Sequence, residues 1–140
     1  MKQLARAGFW PTATLAYMAC IYLLSSIPGG DAALPEDADG FTLYFIPPAL
    51  QNLLHIPLYA GLAWLWHRTL GMARLTSTAT VATAIIIAVG YGFLDELHQA
   101  TVPGRYASAT DVLLNALGAV AGGVISGYVR SRGQQIPTSS

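Results

Sequence analysis

Long apolar runs alternate with short polar breaks along the chain, and four of the runs have helical length. Phe9–Ile27 is 19 residues without a charged side chain. As a helix it would measure roughly 28 Å, close to the ~30 Å hydrocarbon core of a bilayer. Pro11 falls in its first turn, where a missing N–H costs little, and Pro28-Gly29-Gly30 ends it. Pro47-Pro48 opens a second run to about Leu70, with Gly71 as its stop. The third extends from Thr78 to about Gln99, capped by Ser77 or a neighbouring threonine. The fourth starts at Ser108-Ala109-Thr110-Asp111, which resembles a capping box with Asp in the fourth place, and runs to about Val129. The pattern predicts an all-α polytopic membrane protein with four transmembrane helices at about 9–27, 48–70, 78–99 and 109–129. They form one domain, residues 1–132, followed by a disordered polar tail, 133–140.

Composition supports the membrane reading. The chain is 54% hydrophobic and only 10% charged, against roughly a quarter charged in soluble proteins. Its net charge is zero, which argues against nucleic acid as a partner. The lone cysteine, Cys20, lies in an apolar run and has no intrachain partner. A basic start before an apolar run also describes a signal peptide. Here the run is too long for a signal core and Gly30-Asp31-Ala32-Ala33 is a poor cleavage site, so the first helix is read as uncleaved.

Charge placement sets an orientation by the positive-inside rule. Lys2 and Arg6, Arg68 and Arg74, and Arg130 and Arg132 fall at the N-terminus, the middle loop and the C-terminus. Both termini are therefore expected in the cytoplasm, with the acidic first loop and the 95–111 connection outside. His67, beside Arg68, is read as an interfacial residue of the middle loop. Six of the seven basic residues agree, and the exception is Arg105.

Arg105 lies among the polar residues that this topology brings to one membrane level: Gln51, His55, Tyr59, Asp95, Glu96, His98, Gln99, Asp111 and Asn115. Gln51, His55 and Tyr59 follow at i, i+4 and i+8, one helical face. Pro57 leaves the Leu53 carbonyl without its helical donor, so a partner or water is expected near His55. Asp111 and Asn115 are one turn apart, and Gly118 and Gly122 continue their face as a surface for close helix packing. Glu96 shares a face with Gly92 and lies near Gln99, whereas Asp95 lies near His98; Glu96 is expected to point inward and Asp95 to sit at the rim. Plainer readings stand beside these. Asp111 also fits a helix cap, Arg105 and Glu96 a structural ion pair, and His55 and His98 interfacial side chains.

The ordered set Asp95, Glu96, Gln99, Pro103, Gly104, Arg105, Asp111, Asn115 and Gly118, with Leu54-His55 and Tyr59 upstream, resembles the signature of the VanZ-like membrane proteins. The resemblance covers about Ser25 to Gly123. This chain has Gln51 where that family often has a lysine. The resemblance implies an integral protein of the bacterial cell envelope, in the cytoplasmic (inner) membrane, with a link to resistance to the glycopeptide teicoplanin.

Three functions from different classes follow. The first is a membrane hydrolase or transferase, or a binding site, for an anionic lipid-linked molecule such as a polyprenyl phosphate or a peptidoglycan precursor. Arg105 would hold its phosphate or carboxylate, with Gln99, Asn115, Asp95, His98 and Tyr59 lining the substrate. Glu96 would act as general acid or base with His55 as partner, and Asp111 would orient them. No serine or cysteine is an evident nucleophile, which favours attack by water. The second is a non-catalytic binder using the acidic, aromatic loop Asp31–Ile46. The third is a small transporter, which would want an ionisable group near the bilayer midplane. No cofactor is expected; a metal held by His55, Glu96, His98 and Asp111 is the alternative, without the His-Glu-x-x-His or paired-cysteine spacing that would mark it.

Overall fold

The structure, a computed structural model, describes residues 2–29, 48–73 and 75–134. The acidic loop, with Phe41–Ile46, and the end of the polar tail from 135 lie outside the described residues. Four helices follow in order: α1 Lys2–Ser25, α2 Pro48–Leu70, α3 Ser77–Gln99 and α4 Ala109–Gln134. There is no strand among the described residues. α1 begins before the uncharged run and α4 continues past Val129, because Lys and Arg are good helix formers and only hydropathy marked the expected bounds.

Local chemistry accounts for the helix ends. Thr76 caps α3, its Oγ1 accepting from the Ala79 N–H at 3.2 Å. α1 ends in a turn, with Ser26 N donating to Tyr22 O at 3.0 Å. The chain then docks on the α3–α4 connection through Gly29 N and Pro103 O, 3.0 Å apart. A side chain at Gly29 would run into the Gly104 carbonyl, and Gly104 itself has φ 70°, so both positions need glycine.

α2 and α4 pack most closely. A Cβ on Gly118 would strike the Ile56 carbonyl, and one on Gly122 the Ala60 carbonyl. The face read from Asp111, Asn115, Gly118 and Gly122 is therefore the α2–α4 seam, and it continues to Ser126. α1 is tied to its neighbours by hydroxyls. Tyr17 donates to Leu58 O at 3.1 Å, Tyr91 to Met18 O at 2.8 Å, and Thr14 and Thr69 meet at 2.8 Å. α2 is helical across Pro57.

The interior is more polar than the exterior. Among the described residues eleven polar or charged side chains are buried against eight hydrophobic ones, while Ile86, Leu94, Leu113 and Ile125 are exposed. Water would penalise that surface, and lipid would not. α3 and the Ala109–Gly133 part of α4 are long and apolar enough to cross a membrane.

His67 corrects the sequence reading. It is not a loop residue: it lies inside α2 at 0% exposure, with Nδ1 2.6 Å from Ser126 Oγ. Its Nε2 has no hydrogen-bond partner. Ser126→Ala would leave both ring nitrogens without one. The expected loss is about 1–2 kcal/mol, measurable as a lower thermal unfolding midpoint in detergent.

Candidate functional site

The polar residues gather where α2 begins, α3 ends and α4 begins, and they form two connected groups with His55 in both. The first lies between α2, α3 and α4. His55 Nδ1 is 2.7 Å from Asn115 Oδ1, and Asn115 Nδ2 donates to Gly92 O at 3.4 Å. A side-chain carbonyl only accepts, so Nδ1 carries the proton. Gly92 makes this possible: a Cβ there would be 2.9 Å from Asn115 Cβ and 3.0 Å from Tyr59 Cε1. Glu96 Oε1 stands 4.0 Å from His55 Nδ1, and Glu96 Oε2 accepts the Ser108 N–H at 3.1 Å.

That last bond changes the start of α4. In a capping box the side chain three residues after the cap reaches back to the N–H of the cap residue. Here Ser108 Oγ accepts from Asp111 N at 3.4 Å, but the Ser108 N–H is taken by Glu96 of α3. Asp111 is thus released from its reciprocal role. It is 7% exposed and its Oδ1 has no hydrogen-bond partner.

The second group lines a cavity of about 130 Å³ between α1, α2, α3 and the connection. Ile21, Leu24, Leu54 and Leu58 give apolar walls; Ser25, Gln51, His55, Tyr59, Asp95, Gln99 and Arg105 give polar ones. Tyr59 is fully buried with its hydroxyl unpaired, and its ring lies parallel to His55 with centroids 6.3 Å apart. Asp95 accepts from Ser25 Oγ at 2.5 Å and from Gln99 Nε2 at 2.9 Å. Gln99 also reaches Glu96 Oε1 at 3.4 Å, joining the two groups.

Arg105 donates through Nη1 to Leu24 O at 3.3 Å and Ser25 O at 3.4 Å. These are among the last carbonyls of α1, which carry the negative end of its dipole; Leu24 O also accepts the Ile27 N–H at 3.3 Å, in the turn that ends the helix. Burial pulls the guanidinium below its ordinary pKa, while the Asp95, Glu96 and Asp111 carboxylates pull it upward; it stays a cation at physiological pH.

The VanZ/LLP1 family model matches residues 12–130 of the chain. The chain belongs to the VanZ/LLP1 family. No curated protein and no solved structure gives a match. Membership makes this a membrane-type, envelope-associated protein, and every candidate site residue lies inside the VanZ/LLP1 match.

Two expectations and one of the plainer alternatives, the Arg105–Glu96 ion pair, are corrected within that match. Asp95 is not at the rim: it is buried like Glu96, the two facing different neighbours, α1 for Asp95 and α4 for Glu96. Arg105 forms no ion pair with Glu96; among the described residues the ion pair is His55–Glu96. His98 does not join the cluster. Its Nε2 is 2.9 Å from Ser26 Oγ and its ring stacks on Tyr22, centroids 4.5 Å apart. Sequence reasoning missed Ser25, because a serine near the end of an apolar helix carries no local mark of a partner 70 residues away.

Proposed function

We propose that this VanZ/LLP1 member is a multi-pass protein of the bacterial inner membrane, with four spans and both termini in the cytoplasm. Its polar cavity opens on the extracytoplasmic side and takes the head group of an anionic lipid-linked envelope molecule, a polyprenyl phosphate or peptidoglycan-precursor lipid. The observation that carries this reading is Arg105 in the wall of a cavity that also has an aliphatic side, made by Ile21, Leu24, Leu54 and Leu58. A forked cation suits a phosphate or carboxylate, and aliphatic walls suit the chain attached to it. The orientation rests on the basic residues at the opposite end of the helices.

If the bound molecule is also processed, Glu96 is the general acid or base. Asn115 fixes the His55 ring beside it, and Gln99 holds its carboxylate. Attack by water fits this arrangement. Ser25, the serine that lines the cavity, is committed to Asp95. Glycopeptide tolerance is the phenotype that family resemblance supports.

The test is binding of a short-chain polyprenyl phosphate to the purified protein in detergent. Arg105→Ala is expected to weaken it about 10- to 100-fold, the worth of one charged hydrogen bond, while a zwitterionic lipid binds both proteins weakly. Equal affinity of wild type and Arg105→Ala would sink the reading. For the catalytic part, Glu96→Gln should remain folded in the membrane yet lose the phenotype.

A further inference from the structure

His55, Glu96 and Asp111 come from three different helices, and each offers a ligand atom within 4.8 Å of the others. All three are buried. We infer that they form a binding site for one divalent first-row transition-metal ion of the zinc or manganese type. The assignment stands on the cluster alone and does not depend on the head-group reading.

Two observations point to a ligand rather than to a plain hydrogen-bonded core. Asp111 Oδ1 is buried and has no partner, although a helix-capping aspartate would ordinarily be engaged at this position. Glu96 has displaced it from that role by taking the Ser108 N–H. The second observation is charge. Two of the three ligands are buried carboxylates, and among the described residues no lysine or arginine comes within ion-pair distance of either; the one ion pair is with an imidazole, at 4.0 Å, and Arg105 acts on them only from farther away. Buried charge that is poorly compensated is expensive, and a dication between the carboxylates reduces the imbalance.

The donor set narrows the ion. Magnesium and calcium prefer all-oxygen shells, whereas one imidazole with two carboxylates suits zinc, manganese or ferrous iron. Three evenly spread ligands at ~2.2 Å from one ion stand at most ~3.8 Å apart, so the most widely separated side chains need to close by roughly an ångström. Nδ1 is the ring nitrogen near Glu96 Oε1, and we assign it as the donor. On binding, the ring changes tautomer: Nδ1 gives its proton to solvent, Nε2 takes one from solvent, and the freed Nδ1 lone pair goes to the metal in place of the hydrogen bond to Asn115. The Ser108 N–H on Glu96 Oε2 then orients the carboxylate from outside the ligand shell. His98 has no part in it.

The experiment uses the full chain in detergent, stripped with EDTA and then offered Zn²⁺ or Mn²⁺, with bound metal measured by mass spectrometry. Wild type should take up one ion per chain. Asp111→Asn and Glu96→Gln should each weaken uptake at least about tenfold, and His98→Ala should leave it unchanged. Wild-type uptake no greater than that of a His55→Ala/Glu96→Gln/Asp111→Asn triple variant overturns the assignment, as does full uptake by Asp111→Asn. Should Asp111→Asn not fold, Co²⁺ on wild type decides: an absorption spectrum distinct from the aqua ion supports the site, and one identical to it overturns it. Arg105→Ala should keep the metal while losing the polyprenyl phosphate, so failure of one proposal is separable from failure of the other.

Discussion

Gly122→Leu is expected to abolish the folded protein. A Cβ at this position meets the Ala60 carbonyl of α2, and the same holds one turn earlier for Gly118 against Ile56. A side chain can rotate away from an intruder; a helix backbone cannot. Adding even a methyl group therefore pushes α2 and α4 apart along their whole seam. Overpacking costs about 1–3 kcal/mol where side chains can yield, so the alanine variant should reach the upper end and leucine should exceed it. The damage would spread, because His55–Asn115 and His67–Ser126 hydrogen bonds lie along the same seam. Gly90→Ala is the control: a Cβ there meets nothing within 4 Å, and alanine should be neutral or stabilise α3 by about 0.5–1 kcal/mol. Thermal unfolding in detergent, with the elution profile on gel filtration, separates the outcomes. A Gly122→Leu protein that elutes and melts like wild type would refute the seam.

Glu96→Ala is expected to destabilise by several kcal/mol, and Glu96→Gln by far less. The carboxylate holds the Ser108 N–H at the start of α4 and accepts from Gln99, while facing His55. Truncation strips the half-buried Ser108 N–H of its acceptor. It also leaves a void at a site where Glu96 is only 2% exposed. Each unsatisfied buried group costs about 1–3 kcal/mol, and the void adds to that. Glutamine is nearly isosteric, and its Oε1 can accept the Ser108 N–H. The contrast matters for function: a lost phenotype in Glu96→Ala would report misfolding, whereas the same loss in Glu96→Gln reports the loss of the carboxylate itself, as acid–base group or as metal ligand. Equal melting of the two variants would show that the α3–α4 clasp carries no stability.

Much of the site was legible because polar residues are scarce here. In a chain with 10% charge, Asp95, Glu96, Arg105 and Asp111 stand out without any knowledge of packing. Helical spacing then put Asp111, Asn115, Gly118 and Gly122 on one face, and that face is the α2–α4 seam. The same rules failed at Asp95 and His67. Spacing puts Asp95 at the rim because Gly92 marks the Glu96 face as the one another helix approaches; α1 covers the other face and supplies Ser25. His67 reads as a loop residue because Arg68 and the charges after it mark an interface, yet Ser126 on α4 takes the ring inward.

Amino-acid order alone determined the helices, their membrane-type surface and the level at which the polar groups collect, since hydropathy and the helical repeat are local properties. Which groups touch was decided only by tertiary packing. Spacing fixes the angle of a side chain about its own helix axis but not which helix stands opposite. Glycine contacts set that choice between α2 and α4, and it is what turned Glu96 toward Ser108 and left Asp111 Oδ1 without a partner.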